Sequence, residues 1–176
     1  PDRFFHTSNG IELYGQISYL KSAILYSDRI TTVSPTYANE IMTPEFGYGL
    51  EGVLRERSEH FTGVLNGIDD VFWNPANDEN LPAFYSERDI AGKRICKAGL
   101  QREFGLDRDI DVPVIGFVSR LTYQKMADVV LEAVPWIVER GAQFVLVGEG
   151  DHRLEREFER LSRAYPGKGA VHIGYA

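Results

Sequence analysis

The sequence predicts an α/β fold built on parallel sheets, and three observations carry that prediction. Two short β-branched and aromatic runs, Val114 to Val118 and Phe144 to Val147, are bounded by Pro, Gly and charged residues and read as fully buried strands. Between them Val129, Val130, Ala133, Val134 and Ile137 recur at helical spacing, with Gly141 just past the end. The pattern then repeats: Leu154, Phe158, Leu161 and Tyr165 share one face, Pro166-Gly167 breaks the helix, and Val171 to Ile173 reads as a third strand. Strand, helix, strand, helix, strand with short links requires parallel pairing and right-handed crossovers, which is the opening half of a doubly wound nucleotide-binding sheet.

The first half of the chain is less regular. Ile17, Leu20, Ile24 and Leu25 predict a helix, and Arg29 to Val33 a strand. Pro35 to Met42 predicts a helix with Pro35 at its first position, where a missing N–H costs nothing. A helical stretch from Leu50 to Glu59 leads to a strand from Phe61 to Leu65. From Asn66 to Pro82 the chain is rich in Asn, Asp, Pro and Gly and reads as a loop or interdomain crossing. A helix is expected from about Glu87 to Phe104, with Ser86 as its cap and Gly105-Leu106 as its end. Pro135, inside the helix that precedes Gly141, removes one backbone bond and should kink it.

Composition bounds the partners. The 176 residues are 43% hydrophobic and 12% aromatic, enough for a buried core, so disorder does not describe the whole. Nineteen Lys and Arg against 26 Asp and Glu give a net charge of −7 without any basic run, which argues against nucleic acid as a partner. The longest apolar stretches, such as Pro113 to Val118, are far too short to cross a bilayer, and Pro1 opens no targeting signal, so a soluble protein without membrane partners is expected. The single cysteine, Cys96, excludes an internal disulfide or a cysteine-based zinc site and fits a reducing compartment. Pro1 is not an initiator methionine, and residues 170–176 resemble a strand that breaks off, so the chain is expected to be a piece of a longer one.

Chemistry-bearing residues gather where the predicted strands end. Arg120 and Lys125 lie between the strand ending at Val118 and the following helix, at the carboxyl edge of the sheet, where such folds bind ligands. Two fixed charges beside the free amides of a helix start would stabilise a diphosphate, although solvated cations would look the same in the sequence. Gly148-Glu149-Gly150-Asp151 forms the next loop on that edge. Its glycines permit positive φ and close backbone approach to a ligand, while Asp151 is better read as a helix cap. Tyr175 follows the third strand and could stack on a base, or equally be an incidental exposed aromatic. Asn66-Gly67 is first a turn signal, with Asp69 and Asp70 beside it. Cys96 shares a helix face with Leu100 and Phe104 and reads as a buried thiol. His6, His60, His152 and His172 show no metal-ligand spacing, so no metal site or Ser-His-Asp arrangement is expected.

Five segments occur in the order and spacing of the bacterial glycogen synthases and plant starch synthases, and the chain resembles that family across nearly its whole length. They are Asp28 to Ala38, Tyr48 to Gly52, Val64 to Asp69, Ser119 to Lys125 and Gly148 to Asp151. The resemblance implies a two-domain (GT-B type) retaining glycosyltransferase with Rossmann-like parallel sheets, moving glucose from ADP-glucose to the non-reducing end of an α-1,4-glucan. It implies that residues 1–66 close the N-terminal, acceptor-side domain. Residues 67–112 would form the crossing and its helix, and 113–176 would open the nucleotide-binding domain. Arg120 and Lys125 match the catalytic pair that holds the diphosphate and offsets charge on the leaving group, so neither a metal nor another cofactor is expected. Tyr175 matches the aromatic beside the adenine, Asn66 an amide near the sugar, and Gly148 and Gly150 the second nucleotide loop.

The sequence departs from the family where Met126 stands in place of the usual glycine after the lysine. It also lacks the family's Lys-x-Gly-Gly-Leu loop, active-site histidine, and downstream acidic residue with its glycine-rich segment. The resemblance therefore implies a catalytic parent, cytoplasmic or plastidial in a plant, and an inactive piece. Two other readings use the same residues: a transferase for another nucleotide sugar such as UDP-glucose, and a non-catalytic glucan-binding protein of the same fold.

Overall fold

The computed structural model describes residues 10–175; His6 lies outside them. The chain divides into two compact units, 1–69 and 70–176.

In the first unit, β1 (Glu12–Leu13) and β2 (Gln16–Ile17) form an antiparallel hairpin. Its turn places Tyr14 and Gly15 at φ of 55° and 78°, the paired positive values a two-residue hairpin needs. Helix α1 (Tyr19–Tyr26) follows, capped by Ser18, whose hydroxyl accepts from the Lys21 amide at 3.1 Å. Strand β3 (Ile30–Val33) pairs in parallel with β4 (Phe61–Val64), from Ile30 opposite Phe61 to Val33 opposite Val64. Helices α2 (Pro35–Glu40) and α3 (Glu51–Glu56) lie between them in sequence. Ile24, Leu50, Val53 and Leu54 form the core, with Leu13, Ile30 and Phe61 packed against it.

Both connecting helices are shorter than their apolar spacing suggests. Helix α2 stops at Glu40, whose carbonyl accepts from the Thr43 hydroxyl at 2.7 Å and the Thr43 amide at 2.9 Å, a local turn that replaces the next helical bond. Helix α3 stops at Glu56, and the chain finishes in a 3₁₀ turn, Ser58–His60. There the Arg57 guanidinium reaches back to the Ser27 carbonyl.

The second unit carries α4 (Gly92–Glu103), β5 (Val114–Val118), α5 (Ala127–Glu139), β6 (Gln143–Gly148), α6 (His152–Ala164) and β7 (Gly169–Ile173). The strands form one parallel sheet in the order β5-β6-β7, as the strand-helix repeat requires. Successive residues of β6 face opposite sides. Phe144 and Leu146 pack with Val134 and Val138 of α5 and Leu154 and Phe158 of α6. Val145 packs with Ala170 of β7 and Leu106, with Leu100 and Phe104 against them. Cover on both faces is why this strand reads as an unbroken apolar run. Phe144 and Phe158 stack with centroids 6.4 Å apart, and burying a side chain of this size contributes about 1.5–3 kcal/mol.

The helix expected from Glu87 begins instead at Gly92. Ser86 caps a turn rather than a helix: its hydroxyl accepts from the amides of Arg88 at 3.3 Å and Asp89 at 3.2 Å. Gly92 then passes so close to Phe84 that a Cβ would meet its carbonyl, 2.9 Å from the carbonyl carbon. Helix α5 runs without interruption through Pro135, and Cys96 is half-buried rather than buried, its thiol donating to the Ala83 carbonyl at 3.2 Å. Two buried amides join the layers: Gln101 Nε2 donates to Gln143 Oε1 at 2.8 Å, and Gln143 Nε2 to the Asp107 carbonyl at 2.7 Å. Such paired amides satisfy the polar groups that burial would otherwise penalise. Among the described residues no helix is long and apolar enough to cross a membrane.

Candidate functional site

The chain leaves β5 and β6 through two loops that bond to each other. The Ser119 amide donates to the Val147 carbonyl at 3.2 Å, the Leu121 amide to Glu149 at 2.8 Å, and the Asp151 amide to Leu121 at 2.9 Å. Leu121, fully buried, anchors this pairing in the core. Gly148 and Gly150 are needed for the contact itself. Neither has positive φ, contrary to the sequence expectation. A Cβ on Gly148 would meet the Ser119 carbonyl, and one on Gly150 would lie 2.9 Å from both the carbonyl carbon and the nitrogen of Leu121.

The second loop is fixed at its far end too. Asp151 caps α6, as the sequence suggested, its Oδ1 accepting from the amides of Arg153 at 2.8 Å and Leu154 at 3.2 Å. Glu155, one turn in, reaches back: Oε1 accepts from the Gly150 amide at 2.8 Å and Oε2 meets His152 Nδ1 at 2.8 Å. The Gly150 hydrogen bond first, and that from His152 second, hold the Glu155 carboxyl below its ordinary range against some desolvation. Sequence reasoning missed Glu155; its place four residues beyond the cap was the available signal.

The first loop turns into α5 through a 3₁₀ segment, Tyr123–Lys125, and then Met126 at φ 55° and ψ 31°. This left-handed conformation favours glycine, so methionine is strained there. The expectation of free amides at this helix start is only partly met. The Lys125 amide donates to Thr122 at 3.0 Å, Met126 to Tyr123 at 2.9 Å, and Ala127 to Thr122 at 3.3 Å.

A cleft of about 440 Å³ opens at the carboxyl ends of the three strands. Its lining includes the apolar Val118 and Val147, the charged Arg120 and Glu149, the aromatic Tyr175, and Gly148 and Gly150. Arg120, Gly148, Gly150 and Tyr175 are thus brought together, with Tyr175 89% exposed after β7. Lys125 is exposed five residues along the same connection and is not among the lining residues. Asn66 belongs to the first unit, exposed just past β4. Neither Arg120 nor Lys125 has an ion-pair partner among the described residues. Among the same residues no cluster of three or more His, Cys, Asp or Glu could hold a metal.

Comparison with known proteins bears on the family and the fold. The starch synthase catalytic domain family matches residues 1–56, and the group 1 glycosyl transferase family matches residues 112–175. The chain is 51% identical to a glycogen synthase of Leptothrix cholodnii over 97% of its own length and 35% of that protein's. It is 49% identical to one of Nitrosospira multiformis, over 99% and 35%. The chain thus spans about a third of the length of these relatives. Among solved structures, the catalytic domain of starch synthase IV from Arabidopsis thaliana, bound to ADP and acarbose, superimposes with a TM-score of 0.82 at 37% identity, over 88% of this chain and 32% of that one. The parallel sheets, the strand-end loops and these relatives together show the GT-B class of α/β fold, and the chain belongs to the glycogen synthase and starch synthase family of glycosyltransferases.

Proposed function

We propose that this chain supplies the donor-nucleotide part of an enzyme that transfers glucose from ADP-glucose to the non-reducing end of an α-1,4-glucan, with retention at the anomeric carbon. The observation that carries the proposal is Arg120, without an ion-pair partner among the described residues, in one cleft with the exposed Tyr175 ring at the carboxyl edge of a parallel sheet. The kinship with glycogen synthases and the ADP in the related starch synthase support the choice of nucleotide.

In this reading the diphosphate lies against Arg120, with Lys125 approaching from the same connection, and the base against Tyr175. Breaking the bond to the anomeric carbon leaves positive charge on the sugar and negative charge on the departing ADP. Cations fixed before that charge appears stabilise the transition state more than the ground state. They do the work a divalent metal does elsewhere, so full-length activity is proposed to be insensitive to chelator. Asn66 is proposed to serve the sugar, as the family resemblance implies. The unpaired Cys96 is in keeping with a reducing, cytoplasmic setting.

Calorimetric titration of this chain with ADP and UDP tests the nucleotide assignment. ADP is expected to bind more tightly than UDP, and to weaken as salt rises. In the full-length protein, Arg120→Ala and Lys125→Ala are each expected to lower turnover about 100-fold or more, as for loss of a transition-state charge partner, without lowering the unfolding temperature. Near-normal turnover in both variants would defeat the assignment.

A further inference from the structure

We infer that Glu149 selects the nucleoside: its carboxylate accepts a hydrogen bond from a neutral donor group of the bound nucleotide, a ribose hydroxyl or the exocyclic amine of the base. The inference rests on the donor-nucleotide reading of the same cleft. Besides apolar residues, the lining of that cleft includes one cationic residue, Arg120, one aromatic, Tyr175, and one acidic residue, Glu149. The first two suit a diphosphate and a base. The third does not suit a diphosphate at all.

The position of Glu149 is fixed by its backbone. Its carbonyl accepts from the Leu121 amide at 2.8 Å, and the next amide, that of Gly150, is held by Glu155 at 2.8 Å. The side chain itself has no partner among the described residues and is exposed. It is therefore not a structural acid whose charge is consumed within the fold.

Beside a bound diphosphate an idle carboxylate would only repel. Two like charges 4 Å apart in water oppose each other by about 1 kcal/mol per charge pair, and more where solvent is displaced. A carboxylate offers acceptors and no donor, so what it can hold is an N–H or O–H. Nucleotides carry such groups on the ribose and, in adenine, at the exocyclic amine, away from the phosphates. With the phosphates drawn to Arg120, Glu149 meets the nucleoside, and the repulsion that remains disfavours a pose with the phosphates reversed. The residue thus acts on both orientation and choice of nucleotide.

Calorimetric titrations of the wild-type chain, Glu149→Gln and Glu149→Ala with ADP, 2′-deoxy-ADP, 3′-deoxy-ADP and inosine diphosphate test this, with circular dichroism confirming that each variant is folded. Both variants are expected to bind ADP about tenfold more weakly, the scale of one lost hydrogen bond to a charged group. The analogue lacking the recognised donor should bind wild type with the same loss, and substitution of Glu149 should cost nothing further for that analogue. A deoxy analogue that behaves this way identifies the ribose, and inosine diphosphate the amine. Unchanged or tighter ADP binding by both variants overturns the inference and leaves the donor-nucleotide reading standing, as does a loss that couples to none of the analogues. Failure of the wild-type chain to bind ADP overturns that reading and the inference together.

Discussion

The pairing of the two strand-end loops predicts opposite outcomes for one substitution at two glycines of the same sheet. In Gly148→Ala the new methyl falls on the Ser119 carbonyl oxygen, with the carbonyl carbon at 3.1 Å, so backbone must move. Moving it strains the Ser119 to Val147 and Leu121 to Glu149 bonds, at 3.2 and 2.8 Å, and the Gly174 to Gly148 bond at 3.2 Å. Losing two of these costs about 1–3 kcal/mol, and overpacking at the sheet edge adds about 1–3 kcal/mol, so a loss of about 3 kcal/mol is expected. For a unit of this size that lowers the unfolding midpoint by about 10 °C or more. In Gly116→Ala the methyl meets nothing within 4 Å, and removing a flexible glycine from a strand stabilises by about 0.5–1 kcal/mol. Thermal unfolding followed by circular dichroism separates the two. A wild-type midpoint in Gly148→Ala, or equal losses in both variants, would refute the argument that close backbone contact is what demands glycine at this loop.

Three further outcomes follow from the same loops. Met126→Gly, which relieves the left-handed backbone at an exposed side chain, is expected to raise stability by about 1 kcal/mol in denaturant unfolding. Asp151→Ala should cost about 1 kcal/mol by removing the α6 cap, and Asp151→Asn should recover most of it in the same experiment. Glu155 has a folded-state pKa below its unfolded value, so its contribution is present above the ordinary carboxylate range and is lost as pH falls through the lowered folded value. Glu155→Gln should therefore flatten the acid limb of stability against pH, and identical wild-type and variant profiles would count against the Gly150 and His152 bonds.

How much of this was legible depended on whether the cause was local. Val114 to Val118 could be bounded from the sequence because Pro113 and the polar Ser119-Arg120 mark its ends, and the structure gives the same limits. Asp151 as a cap was legible because capping is a contact with amides two and three residues on. That Arg120, Gly148 and Tyr175 share a cleft followed from topology, since parallel strands bring their carboxyl ends to one edge. The start of α4 was not legible: Ser86 followed by Glu87 looks like a helix start, but the Ser86 hydroxyl holds a turn at Arg88 and Asp89 and the helix begins only at Gly92. The reason for Gly148 and Gly150 was hidden in the same way, because the atoms they avoid belong to a loop distant in sequence. Glu155 was hidden because the amide it holds is left available only by that pairing.

The distribution of hydrogen bonds also bears on the proposed ligand site. A glycine-rich phosphate loop offers the anion its backbone amides. Here the amides of Lys125, Met126 and Ala127 are already bonded to carbonyls of their own turn, and that of Gly150 to Glu155. Among the described residues the side-chain charges of Arg120, Lys125 and Glu149 have no partner, and neither do the amides of Asp128 and Val129 that the helix start leaves free. This gives a physical account of Met126 at a position where the family usually has glycine. A side chain there would be excluded if the ligand lay on the backbone, but it is tolerated, at the cost of a strained φ, when the anion is held by side chains reaching past it. In the proposed reading, with the anion held by these side chains, ionic strength and single charge substitutions should affect affinity more than changes to the turn.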